Sequence, residues 1–509
     1  MKLDQKYPRS SGVLLSVTML SSPFGIGVLG NEAMDFISFL CESGFHAWQV
    51  LPIEQTGAGF SPYNCISAFA GEPMLIDPRM LYDMKLITFE ELSGRSIGLS
   101  ADFVDYEHVR DIQWKILKAA FSRLKDKPYA DFDPFWLDEY ALYMALKQHF
   151  DNEPWYDWPD VALRSHEPDA LKQARADLSR EIDFNKFVQW VFSEQWRKLK
   201  EFAAKKNISI IGDMPFYVSA DSVEVWSRRE LFDADSDGHF RAVGGAPPDA
   251  FTPDGQLWGN PVYNWNLMKK EGYEWWIKRV ESALERYDII RFDHFRGFES
   301  YWRIPADALT ARGGKWAKGP GRSLFKVMKQ ALGELPVIAE DLGDIDEDVE
   351  NLLKATGFRG MRVLQFGFMG DELHLPHNFT EDCVAYTGTH DNTPLLAWMF
   401  ELAPGDREQA LFYLGFSGNW SAGGPNCAIN EAWVRALFTS GASLVVIPIQ
   451  DMLGYGSDTR TNIPGTPEGN WRFRVHPDAI RQIDAEFYAE LNRVSCRDNA
   501  ACGAAAPQV

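Results

Sequence analysis

Eight short apolar runs, most of them ending in polar or charged residues, constrain the fold of this chain more than any other feature. They are VLLSVTML (13–20), AWQVLPI (47–53), ISIIGDMPF (208–216), DIIRFDHF (288–295), PVIAEDLG (336–343), MRVLQFGF (361–368), CVAYTGTHD (383–391) and SLVVIPIQD (443–451). Helical patterns sit between most of them, such as NEAMDFISFLCESG after the first and IDEDVENLLKATG after the fifth. Near-continuous apolar strands alternating with helices imply a parallel sheet covered on both faces. Eight such units predict an α/β fold, the (β/α)8 TIM barrel. In that fold the strand C-termini and the loops after them build the site. Asp213, Asp293, Glu340, Asp391 and Asp451 are therefore expected at one mouth.

The spacing is uneven. Residues 54–207 separate the second and third runs, far more than one crossover needs. Stretches such as VRDIQWKILKAAFSRL and FNKFVQWVFSEQWRKLKEFAAKK predict a mainly helical insertion at about 80–205. Residues 220–266 are rich in Gly, Pro and Asp and predict a long active-site loop region. The catalytic barrel is expected over 1–493, with 494–509 as a disordered tail.

Composition narrows the partners. The formal charge of −21 and pI near 5.0 oppose binding to phosphate backbones and anionic lipid, so neither nucleic acid nor membrane is an expected partner. None of the six cysteines forms a C-x-x-C pair. No apolar stretch reaches membrane-spanning length, and the cytoplasm is the expected compartment. The 18 Trp exceed what an aliphatic core needs. Core packing is the default for each, and some could line a surface for flat ligands.

Within IIRFDHF, Arg291 and Asp293 share one face of a strand that is otherwise apolar. Burying them is costly unless they are paired or used. Asp293, Glu340 and Asp391 end three different runs. Cleavage of a glycosidic bond needs two carboxyl groups flanking the anomeric carbon, one attacking or activating water and one protonating the leaving oxygen. Apolar PVIA before Glu340 suits an acid that stays protonated, and Arg291 favours an ionised Asp293. The competing reading, ion pairs and helix caps, is the better one for a single acid. Three acids with Arg291 and His390 beside them favour catalysis.

Other motifs point elsewhere less well. GIGVLG (25–30) is a formal G-x-G-x-x-G, but SSPF separates it from its strand. DADSDGHFRAVG (233–244) starts like a calcium loop and has Gly244 where a bidentate Glu belongs. His374 and His377 form H-x-x-H around Pro376, a poor metal pair. No G-x-S-x-G occurs. Tyr63, Phe251 and Trp258 lie in polar loops, where rings could stack on sugar C–H faces or simply anchor their own loops.

Eight motifs in order, SPFGIGVLG, GFSPYNCISAFAGEPMLID, IIGDMPFYV, APPDAFTPDGQLWGNPVYNW, IIRFDHFRGF, IAEDLG, YTGTHDN and TNIPGTPEGNW, resemble the 4-α-glucanotransferases of the amylomaltase type, glycoside hydrolase family 77, over about residues 11–475. The resemblance implies a (β/α)8 barrel and a retaining double displacement on α-1,4-glucans and malto-oligosaccharides, with glucose or maltose as acceptor. No metal or organic cofactor is implied. Asp293 is implied as nucleophile, Glu340 as general acid/base and Asp391 as the third carboxylate. Tyr63, Asp213, Trp258, Arg291, His294, His390 and Asn462 are implied to bind sugar. Ser16, Val28, Asn64 and Ala250 depart from residues common in the family and are expected near the substrate-binding rim. An α-glucan hydrolase of the amylase type, or a glucan-binding protein without chemistry, are the alternatives.

Overall fold

A computed structural model describes residues 9–95, 98–235, 239–248, 252–466 and 468–498. The eight runs supply eight parallel strands: β1 (Ser10–Leu14), β2 (Ala47–Gln49), β3 (Ser209–Met214), β4 (Ile289–Phe292), β5 (Val337–Ala339), β6 (Arg359–Val363), β7 (Cys383–Tyr386) and β8 (Leu444–Pro448). They close into a barrel in chain order, with β8 pairing β1. Most strands stop before their apolar runs do. Beyond Leu14 the backbone pairs locally instead, Met19 N–H donating to Ser16 O at 3.1 Å, and Val17–Met19 forms a 3-10 turn. The sixth and eighth runs likewise turn into short helices, Leu364–Gly367 and Ile449–Met452.

Residues 80–205 are largely helical, with longer helices at Tyr106–Ser122, Leu137–His149 and Ser179–Lys205. The last buries Phe187, Val191, Phe192 and Leu199, a stripe at helical spacing. It packs on Asn31–Glu42 and on β3, which is where the crossover helix between β2 and β3 belongs.

Residues 220–266 hold more regular structure than a loop. Ala242–Ala246 and Gln256–Pro261 are strands, and with Ser300–Pro305 and Lys315–Lys318 they form a four-stranded antiparallel sheet. Gly244 and Gly245, which suggested a loop, reflect close packing. A Cβ on Gly244 would lie 2.5 Å from the Tyr217 ring. The GIGVLG glycines are explained the same way, since a Cβ on Gly27 would lie 1.7 Å from Val17 O. Ordered chain also extends past 493. Arg497 is buried and donates to Ser10 O, Phe438 O and Ala442 O at 2.9–3.0 Å, so the disordered tail expected from 494 does not begin there. Residues 499–509 lie outside the described residues.

Most tryptophans are core. Trp48, Trp155, Trp158, Trp226, Trp276 and Trp433 are fully buried, and of the 18 only Trp258 and Trp316 are exposed, at 38% each. Val28 is also fully buried, so it is a core residue and not part of a substrate rim. Ser16 is buried against Thr18, and Asn64 donates to Ala58 O at 3.2 Å. Ala250 and Phe251 lie outside the described residues.

Candidate active site

The alternation of β4 explains how IIRF can hold a charge. Phe292 packs outward on Phe325 of the helix Arg322–Leu332. Arg291 faces the barrel mouth, where β4 pairs with β3 so that Arg291 lies opposite Asp213. Its Nη1 donates to Asp213 Oδ1 and Oδ2 at 2.6 and 2.8 Å and to Asp293 Oδ1 at 3.2 Å. Burial opposes the Arg291 charge, and Asp213 and Asp293 outweigh it, holding the guanidinium protonated.

A hydrogen-bonded chain runs on from Asp213. Tyr63 OH donates to Asp213 Oδ2 at 2.7 Å and lies 3.0 Å from His390 Nε2. The tyrosine has one proton and gives it to the carboxylate, so His390 Nε2 carries the hydrogen in the second contact. The same nitrogen is 3.4 Å from Asp391 Oδ1. Burial lowers the His390 pKa, and the ring is neutral at pH 7. Asn462 Nδ2 completes the set, donating to Asp391 Oδ1 at 2.6 Å.

Glu340 follows the last residue of β5. Its Oε2 accepts from His294 N at 2.7 Å and its Oε1 from Leu342 N at 3.1 Å. The first bond fixes Glu340 against the residue next to Asp293. His294 has φ +50°, an unusual conformation for a non-glycine residue that places its N–H at this carboxyl. Burial lowers the His294 pKa to about 4, so the ring is neutral, and it meets Trp258 edge to face at 5.0 Å.

The two acids differ in charge. Burial pushes Glu340 up to about 8, opposed by Arg291 and reinforced by Asp293. Burial also raises Asp293, to about 7, and Arg291 works against that rise. Asp293 keeps 26% of its side chain open to the cleft and is ion-paired to Arg291. Glu340 therefore holds its proton more tightly than Asp293, which the pairing with Arg291 favours in its ionised form.

Asp293, His294, Arg291, Trp258, Glu340 and Asp391 all line one open cleft of about 1840 Å³. Asp213, Tyr63, His390 and Asn462 do not line it. They form the layer behind it that holds Arg291 and Asp391 in place. Asp451 is separate from the mouth: it accepts from Thr387 Oγ1 and Leu395 N at 2.5 and 2.7 Å and is buried. Arg460, unnoticed in the sequence, lines the cleft and donates to Asp391 O at 2.5 Å and Thr393 Oγ1 at 2.9 Å. Its signal was its place two residues before Asn462 at the edge of TNIPGTPEGNW.

The weaker motifs have other uses. Asp233 is paired with Arg241 and Arg303. His374 Nδ1 accepts from Val363 N and His377 meets Tyr413, so the two rings do not converge. Among the described residues no group of three or more His, Cys, Asp or Glu could hold a metal ion.

A parallel barrel that presents an ion-paired carboxylate and a second, more basic carboxyl in one open cleft defines an enzyme acting on glycosidic bonds. The family model described as 4-alpha-glucanotransferase matches residues 15–480, and the chain belongs to that family. It is 43% identical over 491 residues to a 4-alpha-glucanotransferase of Thermus thermophilus, covering 93% of this chain and 96% of the relative. A 4-alpha-glucanotransferase of Aquifex aeolicus is also 43% identical, over 95% of this chain and 98% of its own. The fold superposes on the amylomaltase from Streptococcus agalactiae in complex with acarbose with a TM-score of 0.91 at 40% identity, covering 96% of this chain and 99% of that one.

Proposed function

We propose that this 4-α-glucanotransferase moves α-1,4-glucan segments from a donor to the 4-hydroxyl of an acceptor by double displacement at Asp293. The supporting observation is the placement of Asp293 and Glu340 together, the first held by Arg291 at 3.2 Å and the second by His294 N at 2.7 Å. The ionised Asp293 attacks the anomeric carbon as Glu340 protonates the departing oxygen. The bond between the anomeric carbon and the leaving glucan breaks, and a β-glycosyl ester forms. Glu340, now ionised, takes the proton from an incoming 4-hydroxyl, which displaces Asp293 from the same carbon. Two inversions restore the α-linkage.

Asp391, anchored by Asn462 and Arg460, grips hydroxyls of the sugar whose bond is broken. Trp258 and the neutral His294 bound the cleft beside the nucleophile and contact neighbouring sugars. Malto-oligosaccharides are the proposed donors, and glucose or maltose serve as acceptors. The proposed compartment is the cytoplasm. No helix among the described residues is long and apolar enough to cross a membrane.

Incubation with maltotriose tests this reading. Transfer yields glucose together with maltopentaose and longer products, and the number of reducing ends stays constant. A hydrolase yields only shorter sugars, with reducing ends rising in step with cleavage.

A further inference from the structure

Trp316 has no role in the chemistry above, yet it is one of only two exposed tryptophans in the chain, and both line the catalytic cleft. It stands on Lys315–Lys318, the edge strand of the antiparallel sheet, directly opposite Trp302 in the register with Ser300–Pro305. The two rings meet edge to face at 5.2 Å, and the Trp302 Nε1 proton is already given to Ala311 O. An exposed tryptophan on an edge strand has little reason to be ordered, but this one is braced. The Arg296 guanidinium lies 3.8 Å from its ring centroid.

Arg296 is itself fixed. It donates to Asp344 O and, at 3.0 Å, to Asp346 Oδ2. Asp346 is also the N-cap of the helix Glu347–Thr356, accepting from Val349 N at 3.0 Å. The brace therefore belongs to the loop that starts at Glu340. Glu340, Asp341, Leu342, Gly343, Asp344 and Ile345 line the same cleft as Trp316, so the ring stands beside the residue proposed to protonate the leaving glucan and to deprotonate the acceptor.

We infer that Trp316, stiffened by Arg296 and Trp302, is a stacking platform for a glucose unit of the acceptor or leaving glucan, remote from the scissile bond. This rests on the glucanotransferase reading. A planar ring held in place presents a sugar with a large apolar face at low ordering cost. The platform rewards acceptors long enough to reach it and ignores those that are not. Preference for longer acceptors is then set on this edge strand rather than at the catalytic acids.

The test uses the full chain with amylose as donor and compares glucose with maltotetraose as acceptor, following loss of iodine-staining donor. The Trp316→Ala variant is expected to lower kcat/KM for maltotetraose relative to glucose by roughly three- to tenfold, mainly through the acceptor KM. Trp316→Phe, which keeps a ring, is expected to retain most of the preference. Equal losses for both acceptors, or an unchanged ratio in Trp316→Ala, overturn the platform. Thermal melting of both variants separates loss of folded protein from loss of binding. If the wild-type protein uses neither acceptor, the glucanotransferase reading fails. If it uses both and the ratio does not move, only the platform fails.

Discussion

Arg291 donates through a single Nη1 to both oxygens of Asp213, at 2.6 and 2.8 Å, with side-chain exposures of 5% and 0%. This pair is what lets a barrel strand carry a charge at its end. Its energetic meaning is asymmetric. The pair as a whole recovers the desolvation of two ions, whereas removing one member strands the other. Arg291→Ala is therefore expected to cost about 3–5 kcal/mol by denaturant unfolding at pH 7. Asp213→Asn with Arg291 intact is expected to cost less, because the guanidinium keeps Asp293.

Asp293→Asn removes the nucleophile while keeping its shape. Transfer from maltotriose is expected to fall roughly 10⁴-fold or more, with the melting temperature little changed. A fall of tenfold or less would remove Asp293 from the role assigned to it.

The pH dependence of kcat/KM follows from the same pair. On the acid side activity is lost as Asp293 gains a proton. That limb is expected between its ordinary 3.8 and about 7, because the open quarter of its side chain admits water. On the alkaline side activity is lost as Glu340 gives up its proton near 8. A bell with both limbs below pH 5 would contradict this assignment.

Stability carries a matching signature. The Glu340 carboxyl is raised from 4.5 to about 8 on folding, so between those values the folded chain binds more protons than the unfolded one. Its contribution is complete below about 4.5 and is lost as pH rises through about 8. Glu340→Gln escapes that loss. It is expected to be more stable than the wild type at pH 9, by about 1–2 kcal/mol after allowing for water in the cleft. The difference should vanish near pH 4.

Asn462→Ala deletes the 2.6 Å hydrogen bond to Asp391 and leaves Asp293 and Glu340 untouched. A hydrogen bond to a charged group contributes roughly 1.5–3 kcal/mol, so kcat/KM is expected to fall about 10- to 100-fold. Asn462→Asp, which puts a second carboxylate against Asp391, should be at least as damaging. Initial rates at varied maltotriose concentration measure both.

The barrel and its carboxylates were legible because they depend on local periodicity. Alternation in IIRFD points Arg291 and Asp293 to one face, and Val and Ile in PVIA bury the segment before Glu340. The polar ends of the runs were a looser guide. Asp451 ends its run as Asp293 does, but it serves the backbone of Leu395 and never meets the cleft. What stayed hidden depends on distant segments meeting. Trp316 is on the cleft only because strand 315–318 joins a sheet begun at residue 242, through glycines that read as loop. Val28 looked like a rim residue until packing placed it in the core.

The central claim, a sugar ester on Asp293, can be observed directly. Treating the protein with 5-fluoro-α-maltosyl fluoride, which forms the ester readily and releases it slowly, and then sequencing peptides by mass spectrometry locates the attachment. The expected result is one stoichiometric adduct on the peptide carrying Asp293, discharged when maltose is added. An adduct on another residue, or an unlabelled protein that still turns the reagent over, would contradict it.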